Sequence, residues 1–142
     1  MAASMSYRRN MFTNLERNME YNIYCEDAAS LIKTMFSCFK RNDKNGSRVK
    51  IDLQGKVIDT WDYTTAGDSE EVLVHTTQQW EEKGCLSLTA SKDNDYILVK
   101  FHYWSSFKKE ERNGDEDKYY LGRFTELILV HFYPQIERVE IL

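Results

Sequence analysis

Glu126 is the one charged group in a stretch that otherwise reads as core. Taken as an extended strand over 118–133, alternate residues place Tyr120, Phe124, Ile128, Val130 and Phe132 on one face with Glu126 among them. A carboxylate buried in such company is costly unless it is paired, hydrogen-bonded or kept neutral by a raised pKa. In the last state it would serve as a general base or ligand acceptor near neutral pH. The structural alternative is a glutamate at the rim of the core with its head in water or against a lysine. Asp59 is the second carboxylate of interest, sharing one side of a strand with Trp61 and Tyr63. In one cavity with Glu126 it would complete an acid–base pair for small-molecule chemistry.

A second constellation lies on the segment 96–107. As a strand it places Ile97, Val99, Phe101, Tyr103 and Phe107 on an apolar face, and Tyr96, Leu98, Lys100, His102 and Trp104 on the other. Paired in a hairpin with 118–133, this mixed face gains Arg123, Thr125, Leu127, Leu129, His131 and Tyr133, with His102 near Arg123 and Phe101 near Phe124. Aromatic and basic side chains exposed on a sheet have the composition of a protein-binding hot spot. Lys100, His102, Trp104, Arg123, His131 and Tyr133 are therefore the candidate binding residues. His102 and His131 fall at opposite ends of their strands, which argues against a shared metal ion.

The elements that must position these residues follow from periodicity and punctuation. Thr13-Asn14-Leu15-Glu16 has capping-box form and predicts a short helix over 13–21. Ala28, Ala29, Leu31, Ile32, Met35, Phe36 and Phe39 form a helical stripe within 26–40, closed by Lys40-Arg41. Residues 49–63 read as a hairpin turning at Gln54-Gly55, with Ile51 facing Ile58. Asp68 and Glu71 resemble a helix start and Gly84 a stop, so 68–83 is expected to be helical, against the strand preference of Val72, Val74, Thr76 and Thr77. Strands are expected over 85–90, 96–107, 118–133 and 136–141, with Gly122 marking a bulge in the third.

The 142 residues are 42% hydrophobic and 13% aromatic, enough for one domain with a substantial core, and residues 1–12 read as a flexible tail. No apolar run approaches a membrane span and no leader-like segment opens the chain, so a cytoplasmic protein is expected. Cys25, Cys38 and Cys85 have no zinc-like spacing and read as buried free thiols. Residues 1–56 carry ten Lys+Arg and six Asp+Glu, a net of +4, whereas residues 57–142 carry nine and seventeen, a net of −8. The acidic balance argues against a dedicated nucleic-acid binder. The basic group Lys40, Arg41, Lys44, Arg48, Lys50 and Lys56 reads either as a docking face or as a solvated helix end and hairpin.

The expected order is helix, helix, hairpin, helix and four antiparallel strands, ending in Phe124 to Phe132 followed by Ile136-Glu137-Arg138-Val139-Glu140. It resembles the NTF2-like (SnoaL-like) superfamily. The resemblance implies an α+β fold in which N-terminal helices pack on a curved, cone-like antiparallel sheet of about six strands. It also implies dimerisation or docking through the outer sheet face. The expected function is thus a non-enzymatic domain that binds another protein chain, its own or a foreign one. One form is an immunity-type inhibitor acting by charge and shape complementarity. The alternative is a small-molecule enzyme, an isomerase, dehydratase or hydrolase, using Glu126 with Asp59 in the cone. No cofactor or metal is expected, since no phosphate-binding, zinc or nucleophile motif is present.

Overall fold

The computed structural model describes residues 18–142. A six-stranded antiparallel sheet carries two long helices on one face, an α+β fold with a curved sheet. Its strands are β1 (Glu20–Tyr24), β4 (Trp61–Ala66), β5 (Glu70–His75), β6 (Gly84–Ala90), β7 (Tyr96–Tyr103) and β8 (Arg138–Ile141), in the spatial order β4-β5-β6-β7-β1-β8. The helices are α1 (Ala28–Lys40) and α2 (Glu116–His131). Two short strands, β2 (Arg41–Asn42) and β3 (Arg48–Val49), pair separately.

Helix α1 forms where its stripe predicts. Asp27 caps it by accepting from Ser30 N–H at 3.1 Å. Asn94, in the β6–β7 turn, donates to Asp27 and accepts from Ala29 N–H, so that turn is clamped to the helix start. Ala28, Leu31, Met35, Phe36 and Phe39 are buried against the sheet. On β7 the burial alternates, with Ile97, Val99, Phe101 and Tyr103 inward as expected. They meet both α1 and α2 residues in a single core, so both helices cover the same sheet face. Gly84 opens β6 in the one place where a Cβ would lie 2.4 Å from the His102 carbonyl oxygen, which is why a side chain is excluded there.

Expectations for four elements are corrected. The segment 118–133 is the helix α2, not a strand, and Gly122 lies inside it rather than in a bulge. Its buried residues, Tyr120, Leu121, Phe124, Leu127, Ile128 and His131, follow a 3.6-residue period, and Glu116 and Asp117 occupy its first turn. The positions 120, 124, 128 and 132 suit both a strand and a helix, because a spacing of four is even and is also close to one helical turn. The segment 68–83 is not a helix: β5 occupies Glu70–His75, and only a 3₁₀ turn, Thr77–Glu82, follows. Val72, Leu73, Val74 and His75 are all buried, a pattern of burial on both strand faces in which the β-branched side chains prevail.

The hairpin over 49–63 is reduced to the turn at 52–56 and a single antiparallel bridge beside it. Ile51 bridges Val57 rather than Ile58, and this one-residue shift sends Ile58 into the core and leaves Val57 exposed. The last correction concerns the helix expected over 13–21. Residues 13–17 lie outside the described residues, and Glu20 and Tyr21 belong to β1. The element order that carried the NTF2-like resemblance is therefore not the observed one.

Trp104 also departs from its expected exposure. It is fully buried beyond the end of β7, on the sheet face opposite the helices, with Ala66, Val72, Val74 and Cys85 in a satellite core. Its indole N–H donates to the Glu81 carbonyl at 2.8 Å. The three cysteines are buried and free, as expected. Among the described residues no helix is long and apolar enough to cross a membrane.

Most of the basic group is used within the fold. Lys40 pairs with Glu71, and Arg41 donates to the Asp52 carbonyl. Arg48 forms a two-point pair with Asp62, while Lys50 Nζ donates to the Trp61 carbonyl at 2.7 Å. These contacts tie the β2–β3 hairpin to the outer edge of β4.

Candidate functional site

An open groove of about 600 Å³ runs between α2 and the chain from Lys56 to Trp61, with His75 and Thr77 at one end. On the helix it is bordered by Tyr119, Arg123, Glu126, Leu127, Val130 and His131. From Tyr119 to His131 the helix rises roughly 18 Å at 1.5 Å per residue. The groove is thus long and shallow rather than an enclosed cone. Behind it the interior is filled with rings, Trp61 packing edge-on against His75, Tyr120 and Phe124.

Its two ends are built around histidines. His131, near the end of α2, lies against Asp52, with Nδ1 and Oδ2 at 2.7 Å. Asp52 is 1% exposed and His131 7%. Asp52 heads the turn that the sequence marks with Gln54-Gly55, and its other oxygen accepts from Gln54 and Lys56 N–H. Burial works against this carboxylate, but the His131 bond and the two backbone donors outweigh it and hold its pKa below the ordinary range. At the other end His75 is 4% exposed, its Nδ1 2.9 Å from the Thr77 hydroxyl. Burial, with the Arg123 charge adding to it, pushes the His75 pKa down, so its ring is neutral near pH 7. Neither Nε2 has a hydrogen-bond partner among the described residues.

Thr60, on the groove wall, has a φ of 64°, a left-handed conformation that is rare for a β-branched residue. The Thr60 carbonyl accepts from Thr76 N–H at 2.8 Å, which pins the strained loop to the end of β5.

The expected site residues divide into separate groups. Asp59 and Glu126 do border the same groove, but both are exposed, and Glu126 forms an ion pair with Arg123 one helical turn away at 2.8 Å. Glu126 is therefore not a buried carboxylate, because the helix turns this position to solvent. Arg123 and His131 lie in the groove, not on the sheet. Tyr133 is exposed beyond α2. Lys100 and His102 remain on the outer sheet face, half-buried, with His102 Nε2 2.8 Å from the Ser87 hydroxyl. Trp104 leaves this group because it is buried. His75, Thr77, Tyr119 and Asp52 were not singled out by sequence reasoning; only Asp52 carried a signal, as an acid two residues before a Gln-Gly turn.

The titrating groups give a pH profile of stability. His75 and His102 have pKa values lowered first by burial, so below the unfolded value of about 6.5 the unfolded chain binds more protons than the folded one. Their contribution is complete above that value and is lost as the pH falls below it. Asp52, Asp62 and Glu116 also have lowered values, and their contribution disappears only below about pH 4. Urea midpoints measured from pH 8 to pH 3 are expected to fall in two stages, the first beginning near pH 6.5. A flat profile between pH 7 and pH 5 would contradict the assignment of neutral buried histidines.

Fold and groove together define an α+β domain with an open groove of mixed polar and apolar lining beside its second long helix. No protein-family model matches the chain, and no match is found among curated proteins or solved structures.

Proposed function

We propose that the protein is a non-enzymatic binding domain that receives an extended segment of another protein chain in the groove along α2. The observation that supports this most is the shape of the site. It is an open channel roughly 18 Å long, enough for about five extended residues at 3.3 Å each, in front of an interior already filled with side chains. The groove is lined by the His75 and His131 rings, whose Nε2 atoms have no hydrogen-bond partner among the described residues, by threonine hydroxyls and by the exposed apolar side chains Val57 and Val130. Such a set suits backbone amides and short apolar side chains. Nucleic acid fits poorly, because the cations Lys56 and Arg123 stand beside Asp59 and Glu126, whose charges oppose phosphate. An immunity-type inhibitor would be one form of such a domain.

A second reading, a small-molecule enzyme, is favoured by the Asp52–His131 pair. A buried carboxylate that fixes an imidazole by Nδ1 leaves Nε2 available for proton transfer. This reading moves the chemistry away from Glu126 and Asp59.

The test is selection from a random peptide display library against the immobilised protein, followed by NMR titration with the selected peptides. Shifts are expected at Val57, Thr60, Tyr119 and Val130. Val130 is 51% exposed, so Val130→Asp should leave the fold intact and weaken binding by about tenfold or more. Peptides that instead shift Lys100 and His102, and bind Val130→Asp unchanged, would overturn the groove as the recognition surface.

A further inference from the structure

The two edges of the six-stranded sheet are treated differently. At β4, Lys50 caps the Trp61 carbonyl and Arg48 holds Asp62, so side chains of the β2–β3 region cover the start of that edge. At β8 the strand pairs only with β1, and its outer side is open among the described residues. Ile141, on this strand, is 67% exposed.

The hydrogen-bond phase of β8 determines what that edge can accept. The register pairs Tyr21 with Ile141 and Asn22 with Glu140, and Leu142 N–H donates to the Glu20 carbonyl, the residue directly opposite it. Even-numbered residues therefore turn their backbone groups toward β1, and Val139 and Ile141 turn theirs outward. Glu137 N–H is taken by the Tyr24 carbonyl, so the free edge begins at Val139.

We propose that β8 is a self-pairing edge, through which two copies of the chain join antiparallel about a twofold axis at Val139. Backbone phase alone allows axes at Arg138, Val139, Glu140 or Ile141. An axis at Arg138 sets two guanidinium groups opposite each other, and one at Glu140 sets two carboxylates opposite each other, both destabilising. An axis at Ile141 places Glu140 against Leu142, with no opposite charge facing it. Only the Val139 axis places Arg138 opposite Glu140 of the second copy, and does so twice by symmetry. Val139 then exchanges both backbone bonds with its counterpart.

Tyr24 of β1 fixes which face of β8 both charged side chains occupy. The Arg138 guanidinium stacks over the Tyr24 ring at 3.9 Å, and the Tyr24 hydroxyl donates to Glu140 Oε1 at 3.3 Å. Both charges are thus held on the same face of the strand, flanking the proposed axis. The interface lies away from the groove, so it does not depend on the function proposed above.

Sedimentation velocity of the full chain from about 1 µM to about 1 mM is the measurement. A reversible monomer–dimer equilibrium is expected. Arg138→Glu and Glu140→Arg, both at exposed positions, should each weaken it by about tenfold or more, since each reversal turns two opposite-charge pairs into like-charge pairs. The double reversal should restore it, because the pairing Arg138 to Glu140 is regained with the partners exchanged. Circular dichroism checks that each variant is folded. A chain that stays monomeric across the range, single reversals without effect, or a folded double reversal that fails to restore dimerisation would each overturn the proposal.

Discussion

Trp104→Ala lowers the free energy of unfolding by about 3–5 kcal/mol, the cost of removing a large ring from a filled site. The ring is fully buried, and its loss opens a cavity beside Val72, Val74 and Cys85. The truncation also leaves the Glu81 carbonyl without the indole donor. Urea unfolding measures the loss directly. A second readout is Cys85, 0% exposed and with its pKa pushed up by burial. Its reaction with a thiol reagent should become measurable in the variant well before global unfolding. A change within about 0.5 kcal/mol, the usual effect of an exposed substitution, would return Trp104 to the surface role its position in the sequence suggested.

Asp52→Ala is expected to cost about 3 kcal/mol or more, because a buried carboxylate that accepts three hydrogen bonds, each worth roughly 1.5–3 kcal/mol to a charged acceptor, is removed. The variant loses the contact to His131 and both acceptor bonds from Gln54 and Lys56 N–H. Asp52→Asn should cost less, because its amide oxygen can still accept from the turn. Hydrogen exchange locates the damage: protection at Gln54 and Lys56 should fall more than protection on β6 and β7. Peptides selected on the wild-type groove should lose affinity for the alanine variant, since the turn carrying Lys56 and Val57 forms one groove wall. If the alanine variant keeps full stability and unchanged protection at Gln54 and Lys56, the Asp52–His131 pair does not hold the groove together.

Local pattern was a good guide where a single period explained the residues. The α1 stripe, the inward set Ile97 to Tyr103 of the strand expected over 96–107, which ends at Tyr103 and leaves Phe107 beyond it, and the terminal strand were all legible. In each case, local propensity, capping or turn chemistry agreed with the hydrophobic period. Helix α2 was read as a strand because the spacing of Tyr120, Phe124 and Ile128 serves either element, and the intervening Leu127 and Leu129 did not discriminate. That one substitution of period moved Glu126 from an imagined core to the helix surface. It also took Arg123 and His131 from the sheet to the groove. The helix expected over 68–83 is absent for the opposite reason: the β-branched residues between the two end signals outweigh them.

By itself the sequence determined an α+β domain with a substantial aromatic core, buried free cysteines and a turn at Gln54-Gly55, because these depend on composition and on neighbours along the chain. Only the tertiary structure decided that Trp104 is buried, that Glu126 is solvated and that Asp52 meets His131. Those two residues are 79 positions apart. No local period records such a meeting; it follows from the packing of α2 against the turn at 52–56, and that packing creates the groove.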